Sequence, residues 1–207
     1  FLPSITGVRL RINTEGKSKS EAETKISLIE KNIRSKIQDY IYGEDEDTLQ
    51  NVIGKILKEK KQTLSVAESC TGGNISSKIV SVPGSSEYYI GGVCVYSNLE
   101  KIKLLNIENE TLNKFGAVSE KTAMEMADGV RNIMNTDFAV STTGIAGPTG
   151  GSDEKPVGLV WIGFSSKEKT YAMSFLFGDE RQRNIERASQ RALEILRREL
   201  LNIKIIF

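Results

Sequence analysis

The hydrophobic pattern changes character twice along the chain. Residues 7–13, GVRLRIN, alternate like an exposed or edge strand, and SKSEAETKISLIEKNIRSKIQDYI, 18–41, sets Ile26, Ile29, Ile33, Ile37 and Ile41 at helical spacing. One strand and one helix cannot close a core, so residues 1–42 read as a small α+β fragment that presents half of one. The acidic GEDED, 43–47, breaks the pattern and makes a solvated linker. After it TLQNVIGKILKEKK, 48–61, opens an amphipathic helix with Thr48 as its N-cap.

From there strands and helices alternate. Strands are predicted over 63–69 (TLSVAES), 91–97 (GGVCVYS) and 137–144 (DFAVSTTG), with helices over 72–82, 98–106 and 119–135, the last capped by Ser119, and a short helical piece in ENETLNKFG. GLVWIGFSS, 158–166, and KTYAMSFLF, 169–177, read as an antiparallel pair, followed by a helix from about 180 to 201. Such alternation predicts, for residues 48–207, a layered α/β/α domain with a largely parallel central sheet.

Composition narrows the chemistry. The 207 residues carry a formal charge of +1, which gives no global field to gather nucleic acid or an anionic membrane. Cys70 and Cys94 form no spaced framework, so a reducing, cytoplasmic setting is expected. No window approaches a membrane span, and FLPSITG has neither an initial Met nor the features of a signal peptide, which reads as a chain cut from something longer. There is no histidine at all. That leaves almost no soft ligands for a zinc hydrolase and excludes a Ser-His-Asp triad outright, and no metal or cofactor is expected.

Ligands of an open parallel sheet bind beyond the carboxyl ends of its strands. Three predicted strands deliver hydroxyls there and then turn: SVAES into CTGG, CVYS into Asn98, VSTT into GIAG, the last bringing Thr143 and Gly144. Ser69 is the foremost candidate nucleophile, its plain alternative being a helix N-cap. Gly72 and Gly73 would leave backbone N–H groups free at a helix start, suited to a phosphate or an oxyanion. Without histidine, activation falls to lysine, tyrosine or a carboxylate. Lys101 would lie in the first turn of a helix capped by Asn98, five residues after Tyr96, and burial would ease the loss of its proton. Cys70 is the rival nucleophile, and these arguments do not separate it from Ser69. The loop from Gly144 to Gly158 is long enough to be functional, and Glu154 and Lys155 in it either pair or face a ligand. Arg181 and Arg183 open the last helix, as surface charges or as a clamp for phosphate.

AESCTGG, VPGSSEYYIGGVCVYSN followed by Lys101, FGAVSE, TTGIAGPTGG and EKPVGLVWIG together resemble the carboxy-terminal domain of CinA, the nicotinamide mononucleotide deamidase family. The likeness runs in order from about 48 to 200, and residues 1–42 resemble the latter part of the small middle domain of those proteins. The resemblance implies hydrolysis of nicotinamide mononucleotide to nicotinate mononucleotide and ammonia in pyridine nucleotide salvage. Ser69 would be the nucleophile, with Tyr96 and Lys101 as its partners, and Thr143 the hydroxyl before GIAGP. Arg181 would bind substrate; the chain reads GDERQRN where the family has GDR, which leaves Arg183 as second choice. Two other readings are a nucleotide-binding module without catalysis and an interaction module linked to competence or DNA damage. The half-core of the 18–41 helix favours a homodimer.

Overall fold

The computed structural model describes residues 2–5 and 7–205, which divide into two compact units, residues 1–47 and 48–207. In the first, β1 (Leu2–Ser4) pairs antiparallel with β2 (Gly7–Arg9), and α1 (Lys19–Ile37) begins at an N-cap, Ser18, whose hydroxyl accepts from the Glu21 N–H. The strand expected over 7–13 therefore stops at Arg9. Beyond it Leu10 and Ile12 line a groove with Ile29, Ile33 and Ile37 of α1. The helix also ends earlier than expected, at Ile37, and Gln38–Tyr40 tighten into a 3-10 turn. Among the described residues of this unit none is fully buried, so its apolar side chains make a groove and not a core.

The second unit begins with α2 (Leu49–Lys60), capped by Thr48, whose Oγ1 accepts from the Asn51 N–H. It continues through β3 (Leu64–Glu68), α3 (Asn74–Val80), β4 (Tyr89–Cys94), α4 (Asn98–Leu105), α5 (Asn109–Phe115), α6 (Glu120–Met134), β5 (Phe138–Gly144), β6 (Leu159–Ser165), β7 (Thr170–Leu176) and α7 (Arg181–Leu200). The expected helix at 72–82 starts at Asn74, because Gly72 and Gly73 take left-handed backbone angles that end a turn before the helix can form. The strand expected over 91–97 shifts to 89–94.

One five-stranded sheet runs in the order β4-β3-β5-β6-β7, with β4, β3 and β5 parallel and β6 and β7 antiparallel to their neighbours. Helices α2, α3 and α7 pack together, α7 against β5 and β6; α4 and α5 pack on α6, which covers β3 to β7 from the other side. The α/β/α architecture with a central, mostly parallel sheet is thus as the alternation predicted. On the α6 side Ala67 and Ala139 meet Val95, Leu105, Ile107, Met126 and Val130 in one buried cluster. Small residues let α6 lie close: a Cβ on Gly163 of β6 would sit 2.3 Å from the Ala123 carbonyl oxygen.

This topology sets what meets at one edge. The parallel strands β3, β4 and β5 end there, and since β6 runs back from it and β7 returns, so does the segment leading into α7. Ser69, Tyr96 and Arg181 lie beyond those ends, and Gly144 closes β5.

Candidate active site

Ser69 follows the last residue of β3, and its N–H extends the parallel ladder by donating to the Thr142 carbonyl at 3.0 Å. Its side chain falls on the face of Ala67, towards α4 and α6. Lys101 approaches from that side. Ser97, not Asn98, is the N-cap of α4, its hydroxyl accepting from Glu100 N–H, so Lys101 completes the first turn. The lysine is 1 % exposed. Its Nζ lies 3.0 Å from Ser69 Oγ, 2.8 Å from the Val95 carbonyl oxygen and 3.2 Å from that of Tyr96. An uncharged amine has two hydrogens and one lone pair, so two carbonyls and one hydroxyl satisfy it completely. Burial holds its pKa below the ordinary lysine value.

The amides expected to receive an anion are largely spoken for. Glu68, 1 % exposed, turns its carboxylate into the start of α3: Oε2 accepts from Thr71 Oγ1 (2.7 Å), Gly73 N–H (3.0 Å) and Ile75 N–H (3.0 Å), and Oε1 from Ser76 N–H and Ser76 Oγ (both 2.8 Å). Gly72 N–H donates to the Ser69 carbonyl. The anion at this helix start is thus the protein's own. Gly72 and Gly73 have open space where a Cβ would go, and what they supply is the left-handed turn, not clearance for a ligand. Sequence reading missed Glu68; a lone carboxylate ending an apolar strand three residues before a Thr-Gly-Gly turn was its only signal.

Cys70 does not have the character of an activated thiol. Burial pushes its pKa up to about 12, with the nearby Glu68 charge acting in the same direction and Lys101 and Arg181 opposing it. The expected thiolate at a helix start fails because the thiol is buried.

The remaining candidates divide. The Tyr96 side chain is exposed, and its phenol oxygen accepts from Arg181 NH2 at 3.3 Å; it is the Tyr96 carbonyl that holds Lys101. Arg181 also donates to the Gly147 carbonyl at 3.0 Å, whereas Arg183 pairs with Glu180 on the surface. Thr143, one register step from Ser69, is buried and donates to the Ala117 carbonyl at 2.7 Å. At Gly144 a Cβ would strike the Leu159 carbonyl oxygen at 2.5 Å, so this glycine serves strand packing. Lys155 donates to the Phe115 carbonyl at 2.7 Å, which anchors the long loop to the end of α5. A second residue missed in the sequence is Asn184, fully buried one turn into α7: its Nδ2 donates to the Ala146 and Gly178 carbonyls and its Oδ1 accepts from Gly178 N–H, tying the loop after β5 to the turn before Arg181. Among the described residues no three His, Cys, Asp or Glu side chains converge as metal ligands, and no helix is long and apolar enough to cross a membrane.

Comparison with known proteins adds the family. Residues 46–200 match the description of the CinA C-terminal domain, and residues 1–43 match the damage-inducible protein CinA KH domain. The chain belongs to the CinA family. A Clostridium perfringens protein, provisionally named competence-damage inducible, is 50% identical over 196 residues, covering 95% of this chain and 48% of its own length. A CinA-like protein of Kosmotoga olearia is 47% identical over 194 residues, 94% of this chain and 47% of its own. The chain thus spans about half the length of the curated CinA relatives it matches. Among solved structures, a CinA superfamily protein of Klebsiella pneumoniae superposes with a TM-score of 0.72 at 29% identity, over 74% of this chain and 96% of that one. A competence/damage inducible protein of Agrobacterium tumefaciens gives 0.69 at 34%, over 77% and 99%.

Proposed function

We propose that this CinA-family chain is an amidohydrolase that converts nicotinamide mononucleotide to nicotinate mononucleotide and ammonia. The observation that carries the reading is the buried Lys101 amine, 3.0 Å from Ser69 Oγ and held by two carbonyls, in a chain without histidine.

Lys101 Nζ takes the Ser69 proton as Oγ attacks the carboxamide carbon. The oxyanion faces the N–H groups of Cys70 and Thr71, those of Gly72 and Gly73 being engaged elsewhere. The Lys101 ammonium returns its proton to the departing nitrogen, which leaves as ammonia, and an acyl ester remains on Ser69. Water then loses a proton to Lys101 and attacks the ester; carboxylate is released and Oγ is reprotonated. Arg181, with the Tyr96 phenol beside it, is suited to a phosphate group on the outer side of the site.

The test is incubation of the purified chain with nicotinamide mononucleotide and a chelator, reading ammonia and the acid product. Turnover that disappears in Ser69→Ala supports the reading. Tight binding of the nucleotide with no product after hours would replace it with the binding-module reading.

A further inference from the structure

Glu68 is buried beside the reacting pair, and among the described residues no cationic side chain is hydrogen-bonded to it. Its five donors are all hydroxyls and backbone N–H groups of residues 71–76. Two of those hydroxyls lead on to other strands. Thr71 spends its hydrogen on Glu68, so at the 2.7 Å contact between Thr71 Oγ1 and Thr142 Oγ1 it is Thr142, on β5, that donates. Ser76 likewise spends its hydrogen on Glu68 and accepts from the Tyr89 hydroxyl of β4 at 2.8 Å. Space for the second series is provided by Gly92, where a Cβ would lie 2.4 Å from the Tyr89 oxygen and 2.7 Å from Ser76 Oγ. The carboxylate thus gathers β5, β4 and the start of α3 onto the residue preceding Ser69.

We propose that Glu68 is the positioning residue of the nucleophile, acting through Thr71 and the turn of residues 69–73 to hold Ser69 Oγ against Lys101 Nζ. This rests on the amidohydrolase reading only for its chemistry. An amide at position 68 has the right shape and the wrong hydrogens: whichever way it turns, its NH2 group faces at least one backbone N–H. Residue 69 is then free to move by a fraction of an ångström, and a misplacement of that order costs about tenfold to a hundredfold in the chemical step.

The experiment uses the whole chain and a small fluorophosphonate that modifies the reactive serine, followed by intact mass, alongside turnover of nicotinamide mononucleotide. In Glu68→Gln, labelling of Ser69 and kcat are expected to fall by about tenfold or more while KM stays within about twofold. If that variant does not fold, the Thr71→Val and Thr71→Ser pair decides: Val slows labelling and Ser restores it. Wild-type labelling rates in both Glu68→Gln and Thr71→Val would overturn the proposal, as would a fall in Thr71→Val that Thr71→Ser fails to rescue. A wild type that labels at Ser69 yet leaves the mononucleotide intact would sink the substrate assignment and leave the Glu68 role to be read from the labelling rates.

Discussion

Burying an amine lowers its affinity for protons, and at Lys101 the effect runs in two directions. On the proposed mechanism, in which uncharged Lys101 is the base, activity should rise with pH to a plateau whose midpoint lies below the ordinary lysine range. Lys101→Arg, a cation that does not give up its proton, is expected to lose at least about a hundredfold in kcat, measured by ammonia release. Stability carries the same signature. Between the depressed folded value and the ordinary unfolded one, the unfolded chain holds a proton that the folded chain has released, so folding becomes more favourable as pH rises through that window. Urea unfolding of wild type and Lys101→Met at several pH values should show the wild type gaining on the variant as the solution becomes alkaline. A constant difference would mean that Lys101 keeps its proton when folded. Cys70 supplies the contrast: a thiol raised to about 12 is protonated at neutral pH, so Cys70→Ala should retain most turnover, and selective loss in that variant would return the nucleophile role to the thiol. Much of this was open to sequence reading. AESCTGG and the absence of histidine left Ser69 and Cys70 as rival nucleophiles with a lysine, a tyrosine or a carboxylate as base, and the family resemblance chose Ser69 with Tyr96 and Lys101. What the residues did not disclose was which part of Tyr96 matters to Lys101, because a backbone carbonyl carries no sequence mark.

At the scale of elements, fit between layers decides more than helix or strand propensity. Gly163→Ala would push a methyl group into the Ala123 carbonyl and Ser141 Oγ, at 2.3 and 2.4 Å, and so lift α6 from the sheet. A loss of about 3 kcal/mol is expected, the upper part of the overpacking range, read from denaturant midpoints. Asn184→Ala leaves the Ala146 carbonyl and the Gly178 peptide without partners and frees the turn carrying Arg181. About 2 kcal/mol of stability should go with it, with a raised KM if Arg181 binds the phosphate, checked by melting and by saturation kinetics. The elements themselves were legible from periodicity, but their ends were not. Asn98 was read as the cap that Ser97 supplies, and the alternation running on through Leu10 and Ile12 hid the end of β2. Asn184 could not be read at all, because one of its partners lies 38 residues away in sequence.

For the molecule as a whole, burial is unevenly shared. Every fully buried described residue lies at or beyond Leu49, and the solved CinA structures that superpose on this chain are covered almost completely by about three quarters of it. Residues 48–207 alone should therefore fold cooperatively and keep their turnover, with a melting temperature within a few degrees of the full chain. Failure of that fragment to fold would assign the first 47 residues a structural role that their burial does not reveal. The largely parallel order of the sheet followed from strand–helix alternation, and the antiparallel β6–β7 pair from the brief break between two apolar runs.

One feature of the interior reaches beyond structure. In the two hydroxyl series that converge on Glu68 every oxygen owns a single hydrogen, so the sense of the whole arrangement is decided at its acidic end: Thr142 and Tyr89 point inward because nothing there can point back. Turning any one hydrogen around would oblige those behind it to turn as well. A neutron map of the deuterated protein should find the Thr71 and Ser76 deuterons on the carboxylate and those of Thr142 and Tyr89 on the Thr71 and Ser76 oxygens, and their exchange with solvent should be slow and simultaneous.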